Sequence, residues 1–320
     1  MSGNKILVTG SAGFIGFHCS KNLLEDGFEV LGIDNMNDYY DPLLKEARLA
    51  ELKCFENFTF KKIDIANKDL LTNSFMYYNP AMVIHLAAQA GVRYSITNPY
   101  AYLDANLTGF LNILELSRYN KVEGLIYASS SSVYGDNTKI PFSTDDQTDH
   151  PIALYGATKK ANELMAYSYS HLYGINTTGL RYFTVYGPWG RPDMAMYIFT
   201  DKILKGESIP VYNHGNMKRD FTYIDDIISG TRSAMENNYP YEVFNLGNHK
   251  SENLMDMIGI IENNLGIKAK IDFQPMQPGD VPDSFADIDK SIEMLNYRPT
   301  TNINEGIPRF IDWYKNYYKL

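Results

Sequence analysis

Short apolar runs alternate with helically periodic stretches over the first 180 residues. KILVT (5–9), FEVLGI (28–33), residues 58–63, MVIHL (82–86), GLIYA (124–128) and residues 176–182 each read as a strand. Residues 14–26 carry a helical pattern, and so do the stretches after the fourth and fifth strands. Strands separated by helices predict right-handed crossovers and a parallel sheet covered on both faces, an α/β Rossmann-type doubly wound fold. After residue 183 the texture changes. Residues 184–219 are rich in Gly, Pro and aromatics and predict short elements only. Helix pattern returns at 225–237, 252–264 and 304–318, with a strand at 242–246. This predicts a dinucleotide-binding domain from 1–183 plus 220–250 and a smaller, discontinuous α/β substrate lobe from 184–219 plus 251–320.

Composition narrows the class. The chain has 320 residues, 44% of them hydrophobic, and a formal charge of −9. That is enough apolar material for a sizeable core, and the charge argues against nucleic acid as a partner. No apolar run reaches membrane-spanning length, and the chain runs into a strand without a cleavable leader. Two cysteines fit a reducing compartment. Together these predict a cytoplasmic protein with no membrane association, and nothing in the sequence points to a metal.

The chemistry lies in two motifs. GSAGFIG (10–16) follows a strand and opens a helix. Gly10 permits a tight turn, Gly13 lets backbone approach a pyrophosphate, and Gly16 lets the helix pack on the sheet. The helix N-terminus then favours an anion. Asp34 ends the second strand, where a carboxylate hydrogen-bonds the adenosine ribose and repels a 2′-phosphate, so NAD is expected over NADP. Asp64-Ile65 ends the third strand; Asp64 reads equally as an adenine contact or as the N-cap of the next helix. The second motif is Ser130 with Tyr155 and Lys159. If Tyr155 opens a helix, Lys159 at i+4 shares its face. A phenol's reference pKa of about 10 is too high for a neutral-pH base. A Lys159 ammonium nearby, together with a cationic nicotinamide, would lower it.

With these residues the chain resembles the extended short-chain dehydrogenase/reductases, and within them the nucleotide-sugar epimerases. The signposts are TGSAGFIG (9–16), DNMNDYYD (34–41), HLAAQAGVRYS (85–95), ASSSSVYG (128–135), YGATKKANE (155–163), RYFTVYGPWGRPDMA (181–195), RDFTYIDDI (219–227) and QPGDVPDSFAD (277–287). The wording of DNMNDYYDPLLKEAR, AAQAGVRYS and TVYGPWGRPDMA is most similar to UDP-glucuronate 4-epimerases. The resemblance implies that Tyr155 takes the proton of the sugar 4-hydroxyl while hydride passes to NAD. Ser130 then bonds the same hydroxyl, and Lys159 also holds the nicotinamide ribose. It implies a cofactor groove from Gly10, Gly13, Phe14, Ile15, Gly16, Asp34, Asn35, Asp64, Ile65, Leu86, Ala87, Ala88, Gln89, Asn106, Tyr155, Lys159 and Tyr182. Asn106 reads equally as structural.

Ser131 and Ser132 stand where dehydrating and decarboxylating relatives carry acids. Without a carboxylate there, no base reaches C5 and no acid expels the C6 group, which favours simple 4-epimerisation. A uronate carboxylate entering a closed site needs donors. Candidates are Thr184, the Ser131 and Ser132 groups, and the cations Arg93 and Arg191, although either Arg also fits a phosphate. Arg219 resembles the family's diphosphate Arg, Asp280 a ribose contact and Tyr212 a stacking partner for uracil. Gln277 departs from galactose-type relatives, which place an Arg there. Ser284 is small where glucose-specific relatives carry Tyr, so neutral or N-acetylated UDP-hexoses stay open as substrates. An NAD-binding regulatory protein without turnover is the third reading. Apolar helical faces at 101–119 and 155–173 match the helices that pair across a two-fold axis in this family, which implies a homodimer.

Overall fold

The structure, a computed structural model, describes residues 3–277 and 279–320. Pro278, inside QPGDVPDSFAD, lies outside the described residues, as do Met1 and Ser2. Strands β1 (Lys5–Thr9), β2 (Glu29–Asp34), β3 (Phe58–Lys62), β4 (Met82–His85), β5 (Gly124–Ser130), β6 (Thr177–Tyr182) and, further along, the strand Tyr241–Leu246 form one sheet. Every pairing in it is parallel. The first helices are α1 (Phe14–Glu25), α2 (Pro42–Leu52) and α3 (Lys68–Tyr78). Then come α4 (Tyr94–Thr97), α5 (Pro99–Tyr102), α6 (Gly109–Tyr119) and α7 (Leu154–Tyr173).

β1 shows why the sheet is covered twice. Ile6 and Val8 join one core with Phe17 and Leu23 of α1; Leu7 joins the opposite core with Phe110 and Ile113 of α6. A strand whose side chains alternate between two apolar layers must be apolar at every position, which is the KILVT pattern. β1 pairs β2 on one side and β4 on the other. The chain's direction of travel reverses there, so a crevice opens at the carboxyl ends of these strands.

The chain from 184 onward has more order than its composition predicts. β7 (Thr184–Tyr186) is followed by a ten-residue helix, α8 (Ala195–Leu204), then β8 (Ser208–Val211) and β9 (Lys218–Arg219). β10 (Phe221–Tyr223), α9 (Ile224–Asn237), β11 (Tyr241–Leu246), β12 (Glu252–Asn253), α10 (Leu254–Leu265), β13 (Lys270–Phe273), α11 (Asp289–Leu295) and α12 (Ile303–Tyr318) complete it. α8 is apolar nearly all round, because both its faces meet protein, and such a helix carries no clear 3.6-residue signal. β8 pairs β13 and β7 pairs β10, both in parallel.

The apolar helix expected over 101–119 is interrupted. A π-turn at Leu103–Thr108 sits between α5 and α6. It contains Asn106, whose side chain is engaged by the Gln89 backbone behind β4.

Candidate active site

At the dinucleotide end, Gly10 has φ +73° and its N–H donates to the Ile33 carbonyl at 2.6 Å. A Cβ there would sit 2.7 Å from the Ala87 nitrogen, and one at Gly16 would sit 2.0 Å from the Gly10 carbonyl oxygen. The turn therefore lies flush against both β4 and α1. Gly13 caps α1 with no side chain across its N-terminus, so the first N–H groups of α1 face the crevice. These features fit a dinucleotide pyrophosphate. Asp34 is buried at the end of β2 and accepts from the Met36 N–H at 2.8 Å with one oxygen. Asp64 accepts from Asn35 at 3.0 Å and from the Ala66 N–H at 2.9 Å. It is not the cap of α3: Asn67 is, accepting from the Leu70 N–H at 3.1 Å.

Behind β4, Asn106 clamps Gln89. Its amide oxygen accepts from the Gln89 N–H at 2.8 Å, and its nitrogen donates to the Gln89 carbonyl at 3.1 Å and to Thr158 at 3.0 Å. Asn106 is thereby buried outside the crevice wall, joining the β4 loop to α7. His85 is buried beside it, sharing a 2.8 Å hydrogen bond with Thr9. Burial pushes its pKa from 6.5 down to about 3, helped by the charge of Lys159. The unfolded chain takes up this proton as pH falls below about 6.5, and the folded chain does not. Folding stability is therefore expected to fall with pH below neutrality, with His85 contributing a slope of about 1.4 kcal/mol per pH unit. Urea unfolding between pH 7 and 5 checks this: His85→Gln should flatten the slope, and an unchanged slope refutes the assignment.

Ser130 closes β5 and caps the short helical turn that follows, accepting from the Ser132 N–H at 3.2 Å. Tyr155 lies in the first turn of α7, and Lys159 follows one turn on. The Tyr155 ring packs edge-on against Tyr102 at 6.1 Å. Burial raises the phenol's pKa; a hydrogen bond with Ser130 and the charge of Arg191 pull it back. Lys159 donates to the Ala128 carbonyl at 2.8 Å, and burial lowers its pKa to about 8. The lysine on the helix face expected from i+4 spacing is thus present, and the charge of Arg191 lowers the phenol's pKa against that of its partner Asp193, which raises it. Behind this set is a buried ion pair. Arg181 on β6 donates twice to Glu163 on α7, at 2.8 Å each, and Ser129 of β5 donates to the same carboxylate at 2.7 Å. The pair holds α7 to β6, and Ser129 on the same carboxylate holds it to β5, so that Ser130 and Tyr155 line one cleft.

The opposite wall carries the charged residues. Arg191 forks onto Asp193, 3.0 Å at Nε, and Tyr39 donates to Asp193 at 3.1 Å. Arg93 pairs with Asp280 at 3.0 Å and lies over the Tyr212 ring at 4.8 Å. Three residues drawn from widely separated motifs are thus brought together, with Arg219 close enough for its pKa to feel both Asp280 and Arg93. Thr184 donates its N–H to the Asp220 carbonyl at 3.1 Å. The Asp220 carboxylate is fully buried and accepts from Thr222 and from the N–H groups of Asn248, His249 and Ala286. It ties β10 to the segments after β11 and around Ser284.

One cleft of 1160 Å³ runs from the glycine turn past Tyr155 to Asp280. Of the residues expected to bind cofactor or sugar, all but Asn106 line it. Tyr182 does so with its hydroxyl turned away, bonded to Thr231 at 3.0 Å. The model of the NAD dependent epimerase/dehydratase family matches residues 6–247. The chain belongs to this family. Staphylococcus aureus Protein CapI is 52% identical over 98% of this chain and 99% of its own length. Arabidopsis thaliana UDP-glucuronate 4-epimerase 4 is 47% identical over 99% of this chain and 76% of its own length. A crystal structure of UDP-glucuronic acid 4-epimerase from Bacillus cereus, in complex with UDP-glucuronic acid and NAD, superposes with a TM-score of 0.93. It is 36% identical and covers 98% of this chain and 100% of that one.

Within this epimerase/dehydratase chain, sequence reasoning missed Tyr39, Lys45, Arg48, Tyr102 and Asp193. Tyr39 lies inside a quoted motif, two residues before the cap of α2, and its spacing gives no hint of a partner at 193. Lys45 is buried and donates to the Asn37 carbonyl and side chain at 2.8 Å each. Its helix reads as a solvated surface from charge content alone. Among the described residues no helix is long and apolar enough to cross a membrane, and no cluster of three His, Cys, Asp or Glu is arranged around a metal position.

Proposed function

We propose that this chain is an NAD-dependent 4-epimerase that interconverts UDP-glucuronate and UDP-galacturonate. The observation that carries the reading is that Tyr155, Lys159 and Ser130 line one cleft whose other end is a dinucleotide turn. The relatives' substrates and the bound ligands of the Bacillus cereus enzyme agree with it. NAD, when bound, accepts a hydride from sugar C4 and returns it to the opposite face. Tyr155 takes and gives back the 4-hydroxyl proton, and Ser130 orients that hydroxyl. Lys159 keeps positive charge below the phenol at neutral pH, since its pKa is about 8. Ser131 and Ser132 offer no acid to eliminate at C5 or to expel a group from C6.

The cofactor half is residues 1–183 plus 220–250 and the sugar half 184–219 plus 251–320. Both cations considered for the sugar carboxylate carry an acidic partner, Asp193 for Arg191 and Asp280 for Arg93; Arg191 is favoured because its charge reaches Tyr155, whereas Arg93 lies over the Tyr212 ring beside Arg219. Arg93, Tyr212, Arg219 and Asp280 then serve the nucleotide, and Thr184 flanks the sugar. Product analysis with UDP-glucuronate, UDP-glucose and UDP-N-acetylglucosamine tests the reading. UDP-galacturonate is the expected product. Arg191→Met should depress uronate turnover roughly 10²-fold while Arg93→Ala weakens all UDP-sugars alike. Turnover confined to a neutral or N-acetylated sugar, for which the small Ser284 leaves room, overturns the uronate assignment.

The same chain is a homodimer in this reading. Leu111 and Tyr119 on α6 and Leu164, Tyr167 and Leu172 on α7 are exposed, and the two helices are joined by Tyr169 donating to Glu115 at 2.7 Å. An apolar face of that breadth on paired helices suits a two-fold four-helix contact. Light scattering should give twice the chain mass, and Leu164→Glu should give the monomer.

A further inference from the structure

Two motifs far apart in the chain, DNMNDYYDPLLKEAR (34–48) and GPWGRPD (187–193), meet as a single unit. Arg48 on α2 is fully buried, and among the described residues it has no carboxylate partner. One of its terminal nitrogens donates to the Ala12 carbonyl in the glycine turn at 2.9 Å and to the Tyr40 hydroxyl at 2.7 Å. The other donates to the carbonyls of Trp189 at 2.6 Å and Gly190 at 3.3 Å. The carbonyl just before them, that of Pro188, accepts from His18 Nε2 of α1 at 2.9 Å. Three consecutive carbonyls are thus held from the dinucleotide side.

The loop needs holding. Trp189 has φ +63°, a conformation unfavourable for a bulky residue, and Gly187 has φ +144°. The Trp189 ring is wedged between Phe17 at 5.4 Å and Trp313 at 5.3 Å. Immediately after this turn come Arg191 and Asp193, and Asp193 is caught by Tyr39 from the same first motif. Ala12 lies inside the glycine turn on one side of the cleft and Gly190 leads into Arg191 on the other, so the Arg48 guanidinium, with His18, ties the two together.

We propose that Arg48 and Tyr39 are positioning residues that fix the strained 187–193 turn and so aim Arg191 at the acidic group of the sugar. The clamp itself stands on the contacts above; its role in substrate selection rests on the uronate reading. Arg is suited to the post because its planar fork serves four acceptors on three segments, and an ammonium serves fewer from one point.

The test uses the full chain loaded with NAD. Arg48→Lys and Tyr39→Phe are compared with wild type in kcat and KM for UDP-glucuronate, and in acrylamide quenching of tryptophan emission. The chain has two tryptophans, Trp189 and Trp313, in contact with each other, so the emission reports on the turn. Arg48→Lys should make the emission more readily quenched and cost up to roughly 10²-fold in kcat/KM. Tyr39→Phe removes one oxygen, should fold normally, and should raise KM about tenfold with little change in kcat. A purely structural role would lower Tm and move neither KM nor quenching. Wild-type KM in Tyr39→Phe, or unaltered quenching in folded Arg48→Lys, overturns the proposal. Wild type inactive on UDP-glucuronate but with the expected quenching change would sink the substrate assignment and leave the clamp standing.

Discussion

Tyr155→Phe is expected to fold, bind NAD and lose turnover by roughly 10³-fold or more, within the range that loss of a positioned proton-transfer group produces. The ring keeps its edge contact with Tyr102, and Ser130 keeps its bond to Ser132 at 3.2 Å, so little packing is lost. What disappears is the one hydroxyl in the cleft flanked by Ser130 and under the charge of Arg191. Because burial raises this phenol's pKa, the competent ionised form is scarce at neutral pH until the cationic ring of the bound cofactor adds its field. The wild-type rate should therefore climb as pH rises through neutrality, and the variant's residual rate should not. Initial rates across pH 6 to 9, with melting temperature as the control for folding, decide it. Turnover in Tyr155→Phe comparable with wild type would remove the basis of the proposed mechanism.

Breaking the ion pair behind the site should cost about 3–5 kcal/mol of stability, the usual consequence of stranding one buried charge. In Arg181→Met the Glu163 carboxylate loses both 2.8 Å donors and keeps only Ser129 and a longer contact to Lys160 at 3.4 Å. Tyr134, which also accepts from Arg181 at 3.0 Å, keeps only its own bond to Asn245. Urea unfolding should show the loss directly. The double variant Glu163→Leu, Arg181→Met removes the stranded charge and should recover part of it. If the double variant is as unstable as the single one, the cost lies in packing and not in the charge. Since the pair joins β6 to α7, next to the β5 strand that carries Ser130, Arg181→Met should also lower kcat in whatever fraction stays folded.

Several features were legible because they are local. β1, β2, β4 and β5 are apolar along most of their length and announce themselves within a residue or two, as does β6 although it buries Arg181 against Glu163. Gly16 is dictated by the Gly10 carbonyl six residues before it, and Gly10 by the positive φ of the turn between β1 and α1, although the Ala87 backbone that also leaves no room for a Cβ there is remote in sequence. Tyr155 and Lys159 share a helix face by spacing alone. Other readings failed where the deciding partner is remote. Asp64 and Asn67 are equally good caps by residue type, and only the path of the chain into α3 selects Asn67. Asn106 looked like a wall residue and is instead the bolt between Gln89 and Thr158. Arg93 and Arg191 each meet a carboxylate, Asp280 and Asp193, and no local spacing announces the remote Asp280.

By itself the chain's order of residues determined a parallel α/β sheet, a dinucleotide turn at 10–16 and a serine–tyrosine–lysine set, because helical and strand periodicities and glycine stereochemistry act over a few residues. Only the tertiary structure decided that Tyr39 joins Arg191 on Asp193, that a salt bridge is buried between β6 and α7, and that residues 39–48 grip residues 188–193. Those outcomes depend on pairs well separated along the chain, and the electrostatic and hydrogen-bond energy between two groups is a function of their separation in space, which no local pattern encodes.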